Sequence, residues 1–323
     1  MSNAKRLEDS AKSESLYNFF VKNSFLLSES VHLKSNYSRG KQSPWSLAFA
    51  DHCLKDVFGI ENPVFCAKFA EAISGDGQEA RKITTLHSSS LVSLLVFYSV
   101  SNENPIYMEI DGRIEKFTES HFEVKNKVDE GSNNYSNVDV VLYGDNCVLY
   151  LESKFSEYLK TGPVEVKETH YYKSIYDKLK DYLAKAGLKL VSIDGKNLLD
   201  TIDGNPFYSE GIKQMISHFL GVTNEVKSGR LITVGKTVAL GEILFDFADR
   251  VPNATNKKNS YNSAYMELRK GLKRCSEDDQ TGIVVNELAT YQGVLENEKN
   301  KHFLKNLPKS IREFYRFNDL VKG

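Results

Sequence analysis

Residues 138–154 read VDVVLYGDNCVLYLESK, and the fold turns on them. Two β-rich segments, 138–143 and 147–155, flank Gly144-Asp145-Asn146, which is hairpin syntax. Folded back through a four-residue connection at 144–147, the hairpin sets Asp139 directly opposite Glu152, within about 5 Å at Cβ. Glu152 and Lys154 are two positions apart and leave the same strand face. Both interrupt an apolar run, and an acid and a lysine at the edge of a buried sheet need a reason. An E-x-K triplet alone is most often a structural ion pair at a strand end. The aspartate on the partner strand shifts the reading toward chemistry.

That chemistry is phosphodiester hydrolysis. Hydroxide must attack phosphorus, the developing charge must be neutralised, and the leaving oxygen must be stabilised. Divalent ions held by carboxylates serve all three needs. Mg²⁺ takes hard oxygen ligands, and Mn²⁺ accepts the same shell. A lysine beside them steers the attacking water, or deprotonates it if its own pKa is lowered.

With Asp139 followed by Glu152-Ser153-Lys154, the stretch resembles the core of the PD-(D/E)xK, or restriction-endonuclease-like, nuclease superfamily. Val138 stands where the superfamily has its proline. The runs SGDGQEARKITTLHSSSLVSLLVF, VDVVLY and LESKFSEY are similar to restriction-related bacterial members, and the likeness covers about residues 60–240, with the TYQ segment at 290–292 as an outlier. It implies an α/β fold with a central mixed sheet flanked by helices. It implies Asp139 and Glu152 as Mg²⁺ ligands, the Ser153 carbonyl as a further one, and Lys154 at the attacking water. It also implies a glutamate from the helix ahead of the core, Glu71 in KFAEAISG or its competitor Glu79 in GDGQEARK. A polar residue from the helix after the core is matched by Gln214, with His218 one turn on. For His218, a phosphate contact competes with a partly buried structural histidine, and the structural role is the more ordinary.

Along the chain, apolar spacing predicts helices over 15–27 and 44–59 and after Pro63. Three serines ahead of LVSLLVFYSV (91–100) predict an N-capped buried helix, with a buried strand as the alternative. Strand pieces follow at 106–117, around the turn pair Asp111-Gly112, and at 121–128. A charged helix is predicted over 166–187 and another after Pro206. A strand is predicted over 230–240, a loop over 253–262, helix from 264, and a strand turning helical over 281–295. A last helix is predicted over 308–320. The organisation expected is a helical N-terminal elaboration (1–60), a nuclease core (61–240) and a C-terminal extension packed on it (241–323).

Bulk composition narrows the partners. The formal net charge is −1, so nothing announces a non-specific nucleic-acid coat. The four cysteines are scattered, with no CxxC pair, which speaks against a thiolate zinc site and fits a reducing, cytoplasmic setting. The longest apolar stretch is too short to span a bilayer. The expectation is a DNA endonuclease of restriction or defence type, with a homodimer plausible for double-strand cutting. A nuclease for single-stranded, branched or RNA substrates is one alternative. A catalytically inactive nucleic-acid-binding or assembly protein is the other.

Overall fold

All eight residues of the strand Cys147–Lys154 are buried, as happens when a strand has neighbours on both edges and layers over both faces. The computed structural model describes residues 63–73, 88–128, 135–159, 181–201 (without 182, 186 and 195), 210–229, 233–248 and 251–321. The expected elaboration over 1–60, Glu79 and most of the expected helix over 166–187 lie outside these residues.

Helix α1 (Pro63–Ile73) and helix α2 (Ser89–Phe97) lead into a four-stranded antiparallel meander: β1 (Ile106–Ile110), β2 (Arg113–Lys127), β3 (Tyr135–Gly144) and β4 (Cys147–Lys154). A separate hairpin, β5 (Leu188–Ile193) with β6 (Lys196–Thr201), precedes helix α3 (Glu210–Lys227). The chain then returns to the main sheet as β7 (Thr237–Leu244), parallel to β4. After helix α4 (Ala254–Asp278), the short strands β8 (Val284–Val285) and β9 (Ala289–Thr290) both run parallel to β7. The result is a mixed sheet in the order β1-β2-β3-β4-β7-β8, flanked by helices.

Local chemistry explains most of these elements. Ser88 Oγ accepts the Leu91 amide at 3.0 Å and caps α2, whose residues 90–97 are all buried. The segment is therefore the capped helix and not the alternative strand. Asp111 and Gly112 both take positive φ at the β1–β2 turn, the geometry of a type I′ hairpin. The two strand pieces expected at 113–117 and 121–128 are one continuous strand, β2. The segment 253–262, expected as a loop, forms the first turns of α4. Its lysines and asparagines mask a buried stripe of Ala254, Tyr261, Tyr265, Leu268 and Leu272. The strand expected over 230–240 begins at Thr237 and runs on to Leu244.

The C-terminal part also seals the edge of β1. Asn300 accepts the Tyr107 amide at 2.8 Å and donates to the Tyr107 carbonyl at 2.7 Å. Asn286 does the same for the Asp111 amide and the Glu109 carbonyl. These side-chain amides occupy ladder positions that an open edge would offer to another chain. Among the described residues, no helix is long and apolar enough to cross a membrane.

Candidate active site

Four adjacent strands each carry one carboxylate at the same level of the sheet. The pairs Phe122–Val140 and Val124–Val138 set Glu123 on β2 across from Asp139 on β3. The pair Val140–Leu151 sets Asp139 across from Glu152 on the next rung. Glu152 in turn is the direct register partner of Glu242 on β7. The first and last of this row were not among the residues singled out from sequence.

The row forms where β3 and β4 part. Their ladder ends at Val140 and Leu151. The amide of Ser153 instead donates to Asp139 Oδ2 at 2.8 Å. Strand alternation sends the Ser153 carbonyl to the same edge as its amide, while the Lys154 carbonyl faces β7 and accepts from Phe245. The Ser153 hydroxyl, fully buried, holds the Ser89 carbonyl and the Tyr291 hydroxyl, which fastens β4 to α2 and to the TYQ segment. Ser90 Oγ lies 3.3 Å from Asp139 Oδ1 and 3.4 Å from Glu123 Oε1, so α2 also ties the first two carboxylates together. Glu123 adopts φ 51°, a conformation that costs a non-glycine residue about 1–3 kcal/mol and gathers at functional sites.

Lys154 is the cation of the row and is only 2 % exposed. Its ammonium donates to Glu152 Oε1 at 2.5 Å and to Gln214 Oε1 at 2.8 Å. Gln214 comes from the first turns of α3. One turn later His218 Nε2 pairs with Glu152 Oε2 at 2.8 Å, and Nδ1 meets the Ser136 hydroxyl. Ser136 is buried, so this hydroxyl–imidazole–carboxylate chain orients Glu152 and presents no accessible nucleophile. His218 is thus a buried histidine within the site.

Charge sets the protonation states. Burial opposes ionisation of Glu152, but the Lys154 ammonium and the His218 ring outweigh it and bring the carboxyl down to about 2. For Lys154, burial pulls down while Glu152 and Glu242 pull up, and the ammonium stays protonated well above its ordinary range. Burial, then the Glu152 and Glu123 charges, push the Asp139 carboxyl well up. Glu242 is fully buried. Burial raises it to about 8, against the pull of Lys154 and of Tyr261, whose hydroxyl donates to Glu242 Oε1 at 2.5 Å.

The structure therefore brings Asp139, Glu152, Ser153, Lys154 and Gln214 together. It engages Glu71 elsewhere: with Lys68 at 3.3 Å, His121 Nδ1 at 2.8 Å and the Phe122 amide at 3.2 Å. The third carboxylate next to Asp139 is Glu123, from a strand and not from the helix. Its signal in HFEVKNKV was an acid at an otherwise ordinary strand position. Glu242 was hidden between two segments read separately, and Tyr261 lay in the expected loop.

Among the described residues, no three His, Cys, Asp or Glu side chains converge into a metal-ligating group as they stand. The donor set nevertheless suits a hard cation. Glu152, Glu242 and Asp139 all act on Lys154, and the buried Glu242 Oε2 accepts no hydrogen bond. Concentrated buried negative charge of this kind needs positive charge or protons to balance it. No family model matches the chain, and no curated protein or solved structure matches it.

Proposed function

We propose that this chain is a divalent-metal-dependent nuclease with a restriction-endonuclease-like core, acting on DNA. The observation that carries the reading is the parting of β3 and β4, where Asp139 takes the Ser153 amide just past the end of the ladder and Glu152 holds Lys154 alongside. Asp139, Glu152 and the Ser153 carbonyl would hold Mg²⁺ or Mn²⁺, with Glu123 across the Ser90 hydroxyl as a further carboxylate. The bound ion supplies charge neutralisation at the phosphate and makes water a competent nucleophile at neutral pH. Lys154 contributes a fixed positive charge that orients water and offsets phosphate charge. Its raised pKa makes it a poor general base. Gln214 keeps its amine in place. Double-strand cutting by one such site per chain favours a homodimer.

One observation favours a second reading, a binding or assembly protein with an inactive nuclease-like core. Lys154 and Glu152 are both sealed from solvent and neutralise each other. A single experiment separates the two. Supercoiled plasmid is incubated with the wild type and with Lys154→Ala, each in Mg²⁺, Mn²⁺ or EDTA. The nuclease nicks or linearises DNA only with metal, and the substitution abolishes cleavage. Silence of the wild type on plasmid, single-stranded DNA and RNA supports the inactive scaffold.

A further inference from the structure

The nuclease reading leaves a difficulty that the geometry itself addresses. Glu152 cannot turn both oxygens to a cation while Oε1 is bound to Lys154 at 2.5 Å. Releasing Lys154 strands an ammonium that is 2 % exposed, and an unpaired buried charge is strongly destabilising. A second acceptor for that ammonium would remove the cost.

Glu242 has the required attributes. It is the register partner of Glu152 on the adjacent parallel strand, so the two side chains leave neighbouring strands about 4.8 Å apart. Its Oε1 is held by Tyr261, and its Oε2, fully buried, has no hydrogen-bond partner. Lys154 spends two of its three N–H donors, on Glu152 and Gln214. Glu242 and Lys154 act on each other electrostatically. The same point is tightly packed: a Cβ on Gly211 would lie 2.2 Å from the Tyr261 hydroxyl and 3.1 Å from Lys154 Cε. The start of α3 thus has no side chain just where the lysine stem and the Tyr261–Glu242 pair meet.

We propose that Glu242, held by Tyr261, is the reserve partner of Lys154: when Glu152 turns to a divalent cation, Glu242 gives up its proton to solvent and takes over the ammonium. Glu242 is then a positioning residue. It keeps the lysine charge at the site in the metal-loaded protein and lets Glu152 change partners. This rests on the metal-dependent reading above.

The test is metal affinity, not cleavage. Mg²⁺ binding is titrated calorimetrically, and Mn²⁺ binding by electron paramagnetic resonance, for the full chain and for Glu242→Gln, Tyr261→Phe, Lys154→Met and Glu242→Gln/Lys154→Met. Glu242→Gln should weaken Mg²⁺ binding about tenfold, within the usual range of coupling between sites. Tyr261→Phe, which leaves Glu242 in place but unanchored, should weaken it in the same direction by less. In the Lys154→Met background the Glu242 substitution should have no further effect, because no ammonium remains to rehouse. Wild-type affinity in Glu242→Gln, or the same loss with and without Lys154, overturns the proposal while leaving the nuclease reading intact. If Glu242→Gln does not fold, Tyr261→Phe with and without Lys154→Met decides by the same criterion. Absence of Mg²⁺ and Mn²⁺ binding in the wild type overturns the metal-dependent reading and this proposal with it.

Discussion

The Asp139 carboxylate takes the place of a backbone partner for the Ser153 amide, 2.8 Å away, just past the last rung of the β3–β4 ladder. One side chain therefore closes the sheet and also sets a carboxyl group beside Ser90 where the strands part. These two duties can be separated. Asp139→Asn keeps an oxygen acceptor for the amide and should fold like the wild type while losing metal binding and cleavage. Asp139→Ala should lose both and cost about 1–3 kcal/mol, the penalty of an unsatisfied buried amide. Denaturant unfolding alongside plasmid nicking checks the split. Equal stability of the two variants counts against it.

Lys154 and Glu152 are sealed together, so removing one partner leaves the other charged and buried. Lys154→Met should destabilise the fold by about 3–5 kcal/mol. Glu152→Gln/Lys154→Met should recover most of that loss, since two neutral side chains of similar shape replace the pair. Neither should cleave DNA. The double-mutant cycle, read by urea unfolding, gives the coupling directly.

Glu242 and Glu152 make opposite contributions to pH dependence. Glu242 has a folded-state pKa raised to about 8, so the folded state binds its proton more tightly than the unfolded chain does. Its contribution to stability is present below the ordinary carboxylate pKa and is lost as pH rises through about 8. Glu152, lowered to about 2, contributes stability that is present above the ordinary carboxylate range and lost as pH falls toward 2. In metal-free buffer, Glu242→Gln should therefore gain on the wild type steadily between about pH 5 and pH 8. Thermal unfolding across that range measures the gain. A constant difference between the two proteins rules out the Glu242 assignment.

Gly211 is required for close approach. A methyl there would overlap the Tyr261 hydroxyl and press on the Lys154 stem. Gly211→Ala should cost about 1–3 kcal/mol, as overpacking does, and should reduce cleavage by displacing Lys154. Adding Tyr261→Phe removes the overlapping oxygen and should restore part of the stability. A Gly211→Ala protein as stable as the wild type would show that α3 has room to shift.

Much of the site was legible because its signal is local. Hairpin register follows from turn length and strand alternation, so the separation of Asp139 from Glu152-Ser153-Lys154 was enough to set the two acids face to face. The serine cap and the unbroken apolar run likewise identified α2. Gln214 was found through resemblance, and the structure puts it 2.8 Å from Lys154.

What sequence reading missed is non-local. Glu123 and Glu242 flank the pair only because β2 and β7 align with β3 and β4 at the same level. Register between strands separated by a helix or a long loop leaves no mark in either strand alone. Glu71 is spaced correctly on its helix, yet α1 meets β2 at His121 and Phe122. Tyr261 sat in a stretch so polar that it read as a loop, because tertiary packing on one narrow stripe decided for a helix. The sequence by itself determined the hairpin, its two opposed acids and the lysine beside them, since covalent spacing and backbone alternation suffice for that. Only the tertiary structure decided that Glu123 and Glu242 line up beside this pair and that Lys154 is sealed from solvent, because burial and cross-strand alignment are properties of the packed sheet.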